Sequence, residues 1–361
     1  MGRLKIYLLS ILFLLSSCSL NYSENRDSKW LFAVYMMGDN NLSEMATYDL
    51  KEMMDVGSDE NVRVVVLCDR GEGPTIYEVK RNFLEPIKVY STLDTGNPDT
   101  FRNFLATLKE SFSYEHLALV LWDHGNGWDI TGVDDSSKSY LFVKNVYDVF
   151  NSTGTKVDLL GFDECLMGMM EVLYTFKDVA TGIVVSEYLE PGTGWDYRLT
   201  LSKFKNSGNY SIDSFGKIIV DSYYLSYENM PDATLGYYKS ETVNGILVAL
   251  NDVIGFYSTF STDFKEARKN SVSVYYYSYI DLLSFADALL NSTDSGLRAA
   301  ALQLKTEVKS GYFKTTSPEL RGISIYFSEN KTDLIDAYFD FKFNKFAETN
   351  WPQFLKEYLG I

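Results

Sequence analysis

The chain reads as an α/β protein built on a mostly parallel sheet with helices over both faces. Three observations predict this. Its apolar runs are short, β-rich and without polar alternation, as strands buried on both faces are. Stretches of helical period separate them. Two of the runs break off in polar, glycine-punctuated loops, LWDHGNGW around His124 and LLGFDECLMG around Cys165. Parallel strands lying side by side deliver such loops to one edge, where open α/β sheets carry their active sites.

In order, Leu31 to Met36 is a strand, then Gly-Asp-Asn-Asn, then a helix from Leu42 to Asp55. Val62 to Cys68 is the second strand, and Thr75 to Val79 with Ile87 to Tyr90 forms a hairpin. A helix over Pro98 to Ser111 leads to strand Leu117 to Trp122. Strand Val157 to Leu160, helix Leu166 to Phe176 and strand Gly182 to Val185 follow. In the last third, Thr234 to Tyr238 and Gly322 to Phe327 read as strands, the latter an addition to the sheet or to a small neighbouring one. Apolar spacing predicts helices over Ile212–Tyr227, Asp252–Arg268, Tyr279–Leu290 and Leu297–Lys309. The tyrosines at 275, 276, 277 and 279 read as packed or interfacial surface. The expected organisation is a core over 30–228 and a C-terminal subdomain over 229–361 that packs on the core and completes the sheet.

With 361 residues, 46% of them hydrophobic, the chain has ample material for a sizeable core. A net charge of -16 argues against a nucleic-acid partner, which demands basic surface. The front end is a targeting segment. Arg3 and Lys5 precede an apolar run, Ile6 to Leu15, too short to span a bilayer. It ends in Leu15-Ser16-Ser17-Cys18, which resembles a bacterial lipoprotein signal. Residues 1–17 would be the signal, Cys18 the lipidated first mature residue and 18–29 a polar tether. That places the protein in the bacterial cell envelope, anchored through Cys18 and facing the periplasm or the surface.

Removing Cys18 leaves Cys68 and Cys165, too few for a disulfide framework. Cys68 closes an apolar strand and reads as a buried thiol. Cys165 is different, because it sits where a strand passes into a polar loop and then a helical run. A thiol there becomes nucleophilic given an adjacent base, and a helix N-terminus would favour the thiolate. Asp163 and Glu164 would oppose ionisation unless they point elsewhere or serve substrate binding. His124 stands at the polar end of an apolar strand. Its flanking glycines allow a sharp turn and let backbone N–H groups approach an oxyanion.

His-Gly-x-Gly-Trp, followed about forty residues later by Gly-Phe-Asp-x-Cys-Leu-Met, resembles the clostripain family of cysteine peptidases, relatives of caspases, legumains and gingipains. The likeness extends to the stretches Tyr35-Met36-Met37-Gly38-Asp39-Asn40-Asn41-Leu42, Glu190-Pro191-Gly192-Thr193-Gly194-Trp195-Asp196-Tyr197 and Trp351-Pro352-Gln353-Phe354-Leu355. It implies a caspase-like α/β/α sandwich with a helical C-terminal extension. It also implies a Cys165–His124 dyad and an oxyanion hole from the N–H groups of Gly125 and Cys165. Family members cleave after Arg or Lys, and their specificity acid falls on Asp163, with Asp196 as a second candidate. A carboxylate suits a guanidinium or an ammonium. Where relatives carry Ala before the nucleophile, this chain has Glu164.

Relatives often self-cleave between the two catalytic strands. Here Thr131 to Tyr140 reads as an exposed polar loop whose one basic residue, Lys138, is the candidate autocleavage site. The loop's acids are also a Ca²⁺ candidate, since some relatives need calcium, although their spacing matches no EF-hand. No cofactor is otherwise required. The partners implied are peptide or protein substrates with Arg or Lys at the cut and, through Cys18, a membrane. Two rivals stand beside this peptidase: a binding lipoprotein on the same scaffold with catalysis weakened or lost, for which Glu164 is the best support, and another thiol hydrolase such as an amidase or transpeptidase.

Overall fold

The computed structural model describes residues 27–71 and 73–361. The signal segment and Cys18 lie outside the described residues. Strand begins at Asp27, so the tether expected to reach residue 29 ends earlier.

The chain order is β1 (Asp27–Met37), α1 (Ser43–Val56), β2 (Val62–Asp69), β3 (Thr75–Lys80), β4 (Phe83–Val89), α2 (Pro98–Ser111) and β5 (Ser113–Trp122). Next come β6 (Ile130–Asp134), β7 (Ser139–Phe142), α3 (Val143–Thr153), β8 (Val157–Asp163), α4 (Met170–Phe176) and β9 (Ala180–Val185). Then follow α5 (Tyr197–Asn206), α6 (Ile212–Tyr227), β10 (Thr234–Lys239), α7 (Ser240–Ile254) and α8 (Tyr257–Asn270). The chain closes with β11 (Ser273–Val274), β12 (Tyr276–Asp281), α9 (Leu282–Leu289), α10 (Ser295–Val308), β13 (Tyr312–Thr315), β14 (Ser324–Tyr326) and α11 (Asn350–Leu359).

A nine-stranded sheet runs β13-β10-β9-β8-β5-β1-β2-β3-β4. Its middle, β9-β8-β5-β1-β2, is parallel, and antiparallel strands finish both edges. Period-two geometry sends alternate residues of β1 to opposite faces. Leu31, Ala33 and Tyr35 enter one core with α2, α3 and α4, while Trp30, Phe32 and Val34 enter the other with α1, α5 and α6. This is why the central strands read as continuous apolar runs. The first of these cores runs from Leu31 to Leu355. The segments on either side of residue 228 therefore share one interior, and β10 and β13 extend the sheet beyond β9.

Three expectations are corrected. Leu166–Met169 is not helical, and α4 starts at Met170. Its backbone is spent on neighbours: Leu166 N–H donates to Tyr188 O, Gly168 N–H to Ser186 O, and Gly168 O accepts from Ser324 N–H. The helix expected over 252–268 is two helices, α7 and α8, bent by 107° at Gly255–Phe256. Tyr279–Asp281 is strand rather than helix, paired with β14 in a small sheet of β11, β12 and β14. Among the described residues no single helix is long and apolar enough to cross a membrane.

Candidate active site

The sheet's crossover direction reverses between β1 and β5, which leaves a crevice at their carboxyl ends. Asn41 follows β1, His124 follows β5, and Cys165 follows β8, the next strand along. Both expected catalytic side chains line one cleft of about 170 Å³, together with Trp122, Asp163, Glu164 and Glu190. Gly125 makes this possible. A β-carbon there would collide with the Cys165 carbonyl oxygen and crowd Met167, so glycine alone lets the two loops touch.

His124 Nε2 lies 2.7 Å from Asn41 Oδ1. An amide oxygen only accepts, so Nε2 carries the proton and Nδ1 keeps its lone pair. Glu190 N–H donates to Cys165 Sγ at 3.2 Å. Burial raises the Cys165 thiol above its usual range, and the Glu164 and Asp163 charges, when present, add to this. Burial also holds His124 below its usual range. The resting pair is therefore thiol and neutral imidazole, without the helix-terminus assistance expected from the sequence.

Asp163 forms the floor and is 4% exposed. It accepts from Tyr197 Oη at 2.7 Å and Trp195 N–H at 3.1 Å. Gly194, at φ +52°, passes so close to its carboxylate that a side chain would not fit. Burial pushes Asp163 up to about 6, against those hydrogen bonds. Asp196 is elsewhere in role: it caps α5 by accepting from Leu199 N–H at 2.7 Å and also accepts from Ser226 Oγ. The acid that does join Asp163 is Glu190. Among the described residues no N–H group or cation reaches either of its buried oxygens. Burial and then the Asp163 charge push it well up.

Glu164 does not face solvent. It is 1% exposed and receives the Thr131 hydroxyl at 2.8 Å. Thr131 belongs to the segment expected to be a polar loop, which is instead the β6–β7 hairpin with Lys138 exposed in its turn at φ +53°. Val133 N–H donates to Asp123 Oδ2 at 2.5 Å, so the hairpin is tied to both catalytic loops. Of its two acids, Asp134 is turned inward and Asp135 is exposed. Asp134 accepts from Thr95 N–H and Ser137 N–H, and among the described residues no three His, Cys, Asp or Glu side chains are placed to hold a metal ion. Cys68 is free, buried at the end of β2, and pushed up to about 12 by burial.

Asn41 and Glu190 are the site residues that sequence reasoning missed. Both lie in stretches noted for their resemblance, but nothing in their spacing signalled chemistry.

A thiol and an imidazole presented by neighbouring parallel strand ends, over a buried carboxylate, form the frame of a cysteine-dependent hydrolase. The model of the clostripain family (peptidase C11) matches residues 34–358, and the chain belongs to that family. Clostripain of Hathewaya histolytica is 24% identical over 232 residues, 52% of this chain; the chain spans only 44% of that protein's length. The fold is also that of a secreted C11 cysteine protease from Bacteroides thetaiotaomicron solved with an irreversible peptide inhibitor (TM-score 0.73, 20% identity, 91% of this chain and 99% of that one). An inactive zymogen C11 protease from Parabacteroides distasonis is similar too (TM-score 0.67, 18% identity, 83% and 92% covered).

Proposed function

We propose that this protein is an exported, lipid-anchored cysteine endopeptidase that cleaves after Arg or Lys. The observation that carries the reading is the single cleft lined by Cys165, His124 and the buried Asp163. In this reading Asp163, with Glu190, receives the cationic side chain. His124 Nδ1 takes the thiol proton as Sγ attacks the scissile carbonyl carbon. The oxyanion is held by the N–H groups of Gly125 and Cys165, and the imidazolium then protonates the leaving amine. Water hydrolyses the thioester and restores the thiol. Because the resting pair is neutral, the proton moves only with substrate in place. Glu164 beside the thiol is pushed well up by burial and is held by the Thr131 hydroxyl, so it keeps its proton and leaves the thiol free to react, which favours a working peptidase over a scaffold that binds without cutting. Purified protein offered Arg, Lys and Asp reporter peptides should cut the first two only. Cleavage after Asp, or of none by protein already opened after Lys138, refutes the proposal.

Self-cleavage after Lys138 belongs to the same reading. The turn is exposed, and Thr131 and Asp123 couple its strands to both catalytic loops. A bond in a paired hairpin enters a cleft only after local opening, so cleavage should be slow. Wild type should run partly as two fragments, the second beginning at Ser139, while Cys165→Ala and Lys138→Ala stay whole. Any other new N-terminus refutes this assignment.

Anchoring rests on Leu15-Ser16-Ser17-Cys18. Fatty-acid labelling should mark wild type and spare Cys18→Ala, because stable attachment takes more than one acyl chain. Unlabelled wild type released to the medium would leave an ordinary secretory signal.

A further inference from the structure

Four tyrosines bridge the two catalytic loops. Tyr188 O accepts from the N–H of Leu166, next to Cys165, at 3.0 Å. Its ring lies 6.4 Å from that of Tyr275, Tyr275 lies 4.8 Å from Tyr276, and Tyr276 lies 5.3 Å from Tyr279. Tyr279 Oη then donates to the carbonyl of Asn126, two residues beyond His124, at 3.2 Å. The row therefore begins at the nucleophile loop and ends at the imidazole loop.

Its middle members are not core. Tyr275 is 55% exposed and Tyr276 is 42% exposed, so two large rings stand in solvent along the row between the two loops. Tyr275 also holds φ at +58°, a conformation costly for a bulky side chain. That cost earns no burial for its ring. The ledge is nonetheless fixed. Buried Arg268 donates to Tyr277 O at 2.6 Å and to Phe327 O at 2.7 Å, pinning β12 from below.

We infer that this tyrosine row is an extended subsite for the substrate polypeptide, taking an apolar or aromatic side chain near the basic residue. The inference rests on the peptidase reading above. The cleft, at about 170 Å³, holds little more than one side chain, so an extended peptide must leave it. On the side where the two loops are bridged, it leaves across these rings. Tyrosine offers wide, rigid contact area at low entropic cost, and the row carries no charge of its own to select an ion.

The test uses hexapeptides with one Arg, in which each other position is varied among Gly, Phe, Asp and Arg. One contiguous stretch should prefer Phe over Gly by about three- to tenfold in kcat/KM, the range that ring–ring contacts support. Tyr275→Ala with Tyr276→Ala should remove most of that preference, lowering cleavage of the Phe peptide more than that of acetyl-Arg reporter. Equal losses on both, a Phe preference that survives the double variant, or a stronger preference for a second Arg would overturn the inference. Binding of labelled peptides to Cys165→Ala protein gives a readout independent of turnover. There, Phe peptides binding no tighter than Gly peptides would overturn it, whereas failure of acetyl-Arg to be cut counts against the peptidase reading instead.

Discussion

Cys165→Ala and His124→Ala are each expected to reduce peptidase turnover by at least about a thousandfold, because nucleophile and base act as one unit. Both proteins should fold. Cys165 is partly exposed, and Ala removes only Sγ, whose hydrogen bonding is with the Glu190 backbone, from its N–H at 3.2 Å and to its carbonyl at 3.9 Å. That is worth about 1 kcal/mol. His124 is also partly exposed, and its side-chain hydrogen bond is to Asn41. Unfolding curves should therefore lie close to wild type while single-turnover acylation disappears. Cys68→Ala separates the two thiols. Cys68 is buried at the end of β2 and its ionisation is pushed up to about 12, so its loss should leave turnover nearly unchanged. Substantial activity in a folded Cys165→Ala protein would end the cysteine-peptidase reading. Inactivation by Cys68→Ala would make Cys68 the nucleophile instead.

What could be read from the sequence followed from burial. β1, β2, β5, β8 and β9 are covered on both faces, so their apolar runs announced themselves, and polar loops marked where two of them end. What could not be read depended on partners distant in the chain. Leu166–Met169 has helical composition, yet its backbone bonds to residues 186, 188 and 324, and these bonds displace the first helical turn. Asp134 looks like a loop acid, but the N–H groups of Thr95 and Ser137 hold it inside a hairpin. The second pocket acid turned on direction. Asp196 and Glu190 flank the same Pro-Gly loop, and only the start of α5, which claims Asp196 as its cap, decides which one faces the cleft. Gly-Trp-Asp-Tyr was legible as a motif, but its work is to wrap Asp163 with an N–H and a hydroxyl.

Asp163→Asn should cost cleavage after Arg and Lys about 2–4 kcal/mol of transition-state binding, a factor of roughly 30–1,000, because it leaves a buried cation without its counter-charge. Asn preserves the volume and can still accept from Tyr197, so the Gly194–Tyr197 loop keeps an anchor. The comparison that tests the charge is Arg against norleucine, whose aliphatic side chain is uncharged. The ratio should collapse in the variant while norleucine cleavage changes little. The pH dependence has a definite sign. Burial pushes Asp163 up to about 6 and Glu190 well up, so in the empty pocket protonation is retained to higher pH than for ordinary carboxyls. As pH falls through about 6, Asp163 becomes neutral and an entering cation loses its partner. In wild type, the Arg-to-norleucine ratio of kcat/KM should therefore fall on the acid side with a limb near pH 6. Protonation of His124 penalises both substrates alike and cancels in their ratio. In Asp163→Asn the limb in that ratio should flatten. An Arg preference and acid limb that survive intact would shift the specificity charge to Glu190, and Glu190→Gln would then have to remove both.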